Sequence, residues 1–122
     1  RVFTPAPLVD APLVLEDAVV QIVPGHGTWV IERLGMGEVR WKDKQSLTYL
    51  GRSGDKTRWY FFDGKNVVAK KPQDGKTLGT MPAAGDHLMA VPNPDGTRLF
   101  LADAVGNIIC LDESKLPFQA VE

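Results

Sequence analysis

A chain of 122 residues has the length of one domain, enough for a single ordinary hydrophobic core. Its 14 basic and 15 acidic residues leave a formal net charge of −1, which argues against nucleic acid or an anionic membrane as partner, since either needs a concentrated basic face. The single cysteine excludes an internal disulfide, and no apolar run approaches the roughly 20 residues of a membrane span.

The chain begins at Arg1 without an initiator Met, which points to a processed product or a piece of a longer protein, with a signal or anchor able to precede it. Residues Arg1 to Pro12 carry Pro5, Pro7 and Pro12 with no helical period. They are expected to form an extended arm that lies along a partner or completes a neighbouring sheet by strand addition. Twelve short strands are predicted after it. Leu13–Leu15, Val19–Val23, Thr28–Glu32 and Glu38–Trp41 make a first set of four. Ser46–Leu50, Trp59–Asp63, Asn66–Lys70 and Lys76–Thr80 make a second. Leu88–Val91, Arg98–Ala102, Asn107–Leu111 and Phe118–Val121 make a third. No window holds apolar residues at helical spacing for long enough to form a helix.

Turn signals separate these runs: Gly25-His26-Gly27, Ser53-Gly54-Asp55, Asp63-Gly64-Lys65, Asp74-Gly75 and Pro92-Asn93-Pro94-Asp95-Gly96. Gly supplies positive φ, Asp and Asn tolerate it, and Pro stops a ladder. The stretch Met81-Pro82-Ala83-Ala84-Gly85 reads as a linker or as the crossover between two sets. One unit recurs three times, roughly forty residues apart: a turn Gly, a β-branched strand, a polar turn and a second strand. Its copies start at Gly27, Gly64 and Gly106. A period in that range, with four short strands per unit, is the signature of propeller blades, here about 13–42, 46–80 and 87–121. Trp59-Tyr60-Phe61-Phe62 and Arg98-Leu99-Phe100-Leu101-Ala102 are nearly all apolar, which suits inner strands packed on both faces. Trp41, Trp59, Phe61 and Phe100 are therefore expected to be buried, and Cys110 to be a small buried hydrophobe in its strand.

Residues Ala11 to Lys42 resemble a blade of the PQQ-like (quinoprotein) β-propeller repeat, which ends in Ala-x-Asp-x-x-Thr-Gly-x-x-x-Trp. That motif falls on Ile31 to Trp41, where Gly37 and Trp41 match and Ile31, Arg33 and Met36 depart. In the second unit Ala69 and Gly75 match, while Lys71, Asp74 and Gly79 depart. In the third, Cys110 takes the small apolar position, Asp112 matches, and Lys115-Leu116 replaces Thr-Gly. The stretch Pro94 to Asn107 is similar to the strand-turn-strand core of several propeller repeats, WD-like repeats among them. The resemblance implies an all-β fold of about three antiparallel four-stranded blades, as a partial or open propeller. It also implies a place outside the cytoplasm, periplasmic or secreted.

Chemistry-bearing patterns are sparse. His26 lies between two glycines and His87 follows Gly85-Asp86; no HxH or HxxxH pair exists, and a third ligand would have to come from Asp86 or Asp103. Asp63, Asp74, Asp95, Asp103 and Asp112 sit in or beside turns, where Asp caps its own backbone. Ser46, Ser53 and Ser114 lie in no Gly-x-Ser-x-Gly elbow. The lysine pairs Lys42/Lys44 and Lys70/Lys71 read as solvated blade edges. The quinone needs a closed ring of blades around a polar centre, so the resemblance does not bring the cofactor with it. No catalytic, cofactor-binding or metal-binding residue is expected.

Three blades cannot close a ring, and each end blade would leave an apolar face uncovered. The missing cover is expected from other blades of a longer chain, from a second copy closing a ring about a two-fold axis, or from other subunits of an assembly, which could itself be membrane-associated. The expected function is a non-catalytic β-repeat binding or scaffold module, an accessory subunit. The alternatives are a fragment of a quinoprotein-like enzyme or ligand-binding propeller, and, structurally, a β-sandwich or barrel with blade-like hairpins.

Overall fold

The computed structural model describes residues 12–33, 37–83, 88–91, 93, 98–103, 105–112 and 119–120. The expected arm falls, up to Ala11, outside the described residues. The rest is strands: β1 (Leu13–Val14), β2 (Ala18–Val23), β3 (Gly27–Glu32), β4 (Val39–Asp43), β5 (Thr48–Arg52), β6 (Trp59–Phe62), β7 (Asn66–Lys70), β8 (Thr77–Pro82), β9 (Met89–Val91), β10 (Arg98–Ala102), β11 (Ile108–Asp112) and β12 (Gln119–Ala120). No helix occurs among the described residues. The strands form three antiparallel sheets, ordered β1-β2-β3-β4, β12-β8-β7-β6-β5 and β11-β10-β9. The chain divides into two compact units, Arg1–Leu47 with Gln73–Gly75, and Thr48–Pro72 with Lys76–Glu122.

The first unit is built on the β1–β4 meander. Its register aligns Leu13, Val20, Val30 and Trp41 across one face, and Gln21, Trp29 and Lys42 across the other. The ladder slips between Val30 and Ile31, so that Ile31 faces Val39 and Arg40 is the extra residue of a bulge. Arg40 uses that position to hold Glu32 with two bonds, from Nε at 2.6 Å and from Nη2 at 2.8 Å, and its Nη2 lies 3.3 Å from Asp17 Oδ2. Arg33 Nη1 donates to the carbonyls of Leu15 and Glu16, tying the β1–β2 turn to the same end of the sheet. At the other end buried Thr28 Oγ1 donates to the Gln45 carbonyl and accepts the Leu47 N–H, satisfying two backbone groups as the chain leaves the sheet.

Gly37, which matches the repeat motif, and Gly75, in a predicted turn, both have positive φ, 71° and 75°. At Gly75 the demand is double, because an added Cβ would lie 2.5 Å from the Trp41 ring. The buried indole therefore packs against a bare glycine backbone, a contact any other residue would break.

The second unit packs two sheets together. Leu50, Tyr60, Phe62, Val67, Ala69 and Met81 from the five-stranded sheet form one core with Leu99 and Leu101 of β10, flanked by Ala90, Ile109 and Leu111. The other face of the five-stranded sheet carries Tyr49, Trp59, Phe61 and Val68, also buried. Tyr49 meets Trp59 and Phe61 edge-to-face, with centroids 6.0 and 5.6 Å apart. All four residues of β6 are buried, as its continuous apolar run predicts.

The structure departs from the sequence expectations in four places. The twelfth strand does not complete the third set: Gln119 and Ala120 pair with Thr80 and Gly79 of β8, so the strands group as four, five and three rather than in fours. Phe100 is only half-buried, and Cys110 is exposed. Both follow from the period of two, since Leu99 and Leu101 take the core face and leave Phe100 and its cross-strand neighbour Cys110 on the other. Lys70, expected at a solvated edge, is buried: register sets Trp59 and Thr77 on either side of it across the sheet, and its Nζ donates to Thr77 Oγ1 at 3.0 Å.

Leu101→Ala is expected to cost about 2–5 kcal/mol, because the fully buried side chain leaves a cavity, whereas Phe100→Ala should cost less. Urea unfolding of both variants checks this, and a Phe100 variant at least as unstable as the Leu101 variant would contradict the facing assigned to β10.

Candidate functional site

The most distinctive surface lies on the three-stranded sheet. Register places Val91, Phe100 and Cys110 in one cross-strand row, and Met89, Ala102 and Ile108 in the next. All six are apolar or weakly polar, and all point away from the core face of Leu99 and Leu101. Met89 is 66% exposed, Ile108 68% and Val91 37%; Val105, in the β10–β11 turn, is 84% exposed. Scattered single apolar residues are ordinary on a surface, but two adjacent rows across every strand of a sheet make a contiguous patch. Arg98, at the end of β10 on the same face, is exposed beside it. The sequence held no sign of this patch, because a strand apolar on both faces does not reveal which face stays uncovered.

The turns around the sheets are fixed by short polar side chains. In the β5–β6 turn Ser53 Oγ donates to Asp55 Oδ1 at 2.7 Å, and the same carboxylate oxygen accepts the Thr57 hydroxyl at 2.6 Å and the Thr57 N–H at 3.1 Å. Ser53 Oγ in turn accepts the N–H groups of Thr57 and Arg58. This closed knot supports Lys56 at a positive φ of 62°, a strained setting for a non-glycine residue. The bonds from Thr57 and Ser53, the Thr57 hydroxyl foremost, hold Asp55 down to about 2, below its ordinary 3.8.

Asp63 Oδ1 accepts the N–H groups of Lys65 and Asn66. Asp103 accepts from the N–H groups of Val105 and Asn107 and from the Asn107 amide, and the Asn107 N–H is the main reason its carboxyl is lowered. Asp63 and Asp103 thus cap their own turns, as their setting predicts. In the first unit the Arg40 guanidinium, bonding directly, lowers the Glu32 carboxyl and is itself raised by it.

The remaining residues singled out in the sequence are dispersed. His26 is exposed in the β2–β3 turn, Asp74 is exposed in the Gln73–Gly75 segment, and Ser46 is exposed after β4. Ser53 is buried in the knot just described. Lys44 and Lys71 are exposed, and the Lys42 ammonium lies 4.0 Å from the centre of the Trp29 ring, a cation–π contact. Asp86, His87, Asp95 and Ser114 lie outside the described residues, as do the side chain of Asp112 and the Lys115-Leu116 pair. Among the described residues no three His, Cys, Asp or Glu side chains gather in a way that could hold a metal ion. No helix there is long and apolar enough to cross a membrane.

Compared with known proteins, the chain matches no family model, no curated sequence and no solved structure.

A carboxyl whose folded value lies below its unfolded value stabilises fully above the unfolded value and loses that contribution as pH falls through the folded one. For Asp55 the window runs from its ordinary 3.8 down to about 2. Asp55→Asn should therefore melt below the parent at about pH 6, with the gap narrowing toward about pH 2. A gap that stays constant through that range in thermal melts would show that the carboxylate charge is not what secures the turn.

Proposed function

We propose that this chain is a non-catalytic β-repeat binding or scaffold module, an accessory subunit that works through association with other protein surfaces. One observation carries the reading: the sheet β11-β10-β9 buries one face in the core and leaves Met89, Val91, Ile108 and Cys110 exposed on the other. Met89, Val91 and Ile108 standing in water cost free energy that a partner surface recovers, at roughly 25 cal/mol for each Å² removed from water. Such patches mark interaction sites on otherwise polar surfaces.

The blade reading is compatible with this arrangement. Short antiparallel meanders stacked face to face are the building units of propellers, and an end unit in an unfinished stack has one uncovered face. On the PQQ-like resemblance the module sits in the periplasm or is secreted, as part of a larger assembly whose other subunits, or a second copy, supply the missing cover.

The test is sedimentation of the pure chain at about 100 μM, where a partnerless face with micromolar affinity for itself is substantially occupied. Association is expected, and the double variant Met89→Lys, Val91→Lys should weaken it at least tenfold without lowering the melting temperature, because both side chains stand clear of the core. A compact monodisperse monomer with cooperative unfolding, unaffected by the double variant, would contradict the binding-module reading.

A further inference from the structure

The edges of the sheets differ in how well they are guarded. An unpaired edge presents backbone N–H and C=O groups to any extended chain, and folded proteins blunt such edges by shortness, charge, bulges or cover. β1 and β12 have two residues each and β9 has three. β4 carries Arg40 and Lys42 and is bulged. β5 is bulged at Tyr49/Gly51, and its Leu50 carbonyl accepts the Asn93 N–H. β11 has only one of these protections, the acidic Asp112 at its end. It is Ile108-Ile109-Cys110-Leu111-Asp112, five residues in unbroken register with β10, without Pro, Gly or Lys, and among the described residues nothing pairs with its other side.

The backbone pattern shows what that edge offers. The Asp103 N–H bonds the Asn107 carbonyl, so the backbone at these two positions faces across the hairpin, with the Asp103 carbonyl taking the Gly106 N–H. Alternation then makes Leu101–Ile109 and Leu99–Leu111 the next hydrogen-bonded pairs. The N–H and C=O groups of Ile108, Cys110 and Asp112 accordingly point away from β10, toward the open edge.

We propose that β11 is a self-association edge, pairing antiparallel with β11 of a second copy about a two-fold axis through Cys110. Three features favour a second copy as the occupant. An antiparallel strand pair is compatible with two-fold symmetry, in which a single patch serves both partners. Of the two-fold registers, the one centred on Cys110 brings all five residues of each strand into the ladder: Ile108 faces Asp112 of the second copy, Ile109 faces Leu111, and Cys110 faces Cys110. This register also places all the outward-pointing backbone groups in hydrogen-bonded pairs. It keeps the strand's acidic residue opposite Ile108, whereas a register centred on Asp112 would set two carboxylates face to face, which is destabilising. The paired sheets become one continuous sheet, and the exposed apolar rows of each copy run on into those of the other. The proposal rests on the binding-module reading but concerns the edge of the sheet rather than its face.

Cys110, the single cysteine of the chain, reports the register directly. Hydrogen-bonded antiparallel partners have Cα atoms about 5.5 Å apart, within the span a disulfide bridges. The wild-type chain treated with diamide, which takes up the two thiol hydrogens as the S–S bond forms, is expected to give a covalent dimer in high yield at concentrations where it sediments as a dimer. The yield should fall to background in denaturant. Cys110→Pro removes an outward N–H without removing a bond to β10 and should raise the dimer dissociation constant at least tenfold, whereas Cys110→Ser should leave it within about twofold. Circular dichroism shows whether the proline variant folds, and if it does not, the wild-type cross-link alone decides.

A folded Cys110→Pro chain that associates as tightly as the parent, or a dimer that diamide does not link, overturns edge pairing. If Met89→Lys, Val91→Lys still abolishes association in that case, the face reading stands while the edge proposal fails. A wild-type chain that remains monomeric, including one that binds only an extended peptide of another protein, also overturns the proposal.

Discussion

The insertion of Leu99 and Leu101 into the core of the second unit sets the character of the molecule. Both side chains are fully buried against Leu50, Tyr60, Phe62, Val67 and Ala69, and they anchor the three-stranded sheet to the five-stranded one. Because side chains alternate along a strand, this commitment leaves no freedom to Phe100 and Ala102, which must stand on the opposite face. Their cross-strand neighbours Val91, Cys110, Met89 and Ile108 follow by register. A single packing contact therefore creates the uncovered surface as its geometric complement. A one-residue slip would exchange the two faces and put a pair of leucines in water.

The turns supply the precision that short strands lack. A strand of four or five residues has little register information of its own, and hairpin closure has to come from the connections. Asp63 and Asp103 gather the backbone N–H groups of their turns, and Ser53, Asp55 and Thr57 knot the β5–β6 turn tightly enough to hold Lys56 in the left-handed region. In the first unit the same role falls to charged groups, with Arg40 clamping Glu32 and approaching Asp17. Gly75 adds a contact of a different kind, a backbone surface flat enough to receive the Trp41 ring. At these positions the polar side chains are consumed in shaping the backbone.

Face and edge pose different physical problems. An exposed face needs area to be covered, and its affinity grows with the apolar surface removed from water. An exposed edge needs a backbone in the right direction and register, and its specificity comes from which residues fall opposite one another. β11 belongs to both surfaces at once, since Ile108 and Cys110 contribute side chains to the face and backbone groups to the edge. Extending the sheet through β11 would enlarge the apolar face without covering it, so the two kinds of association can coexist in one assembly.

Local patterning in the sequence determined the strands: each of the twelve predicted runs overlaps a strand of the structure, and Asn66–Lys70 and Arg98–Ala102 agree to the residue. The turns at 25–27, 53–55, 63–65 and 74–75 were equally legible, because Asp, Gly and Ser act on backbone groups within a few residues of themselves; the predicted turn Pro92-Asn93-Pro94-Asp95-Gly96 lies, except for Asn93, outside the described residues. Tertiary structure alone decided which strands became neighbours. Gln119–Ala120 could not be assigned to β8 from sequence, since a short strand carries no mark of a partner some forty residues away. It also decided the facing of β10 and the exposure of Cys110, because a run apolar on both sides satisfies a core in either orientation. The burial of Lys70 likewise depends on Trp59 and Thr77, which pairing with β6 and β8 sets beside it. Strand formation and turn closure are local events, while pairing and facing are settled by contacts between residues far apart in the chain.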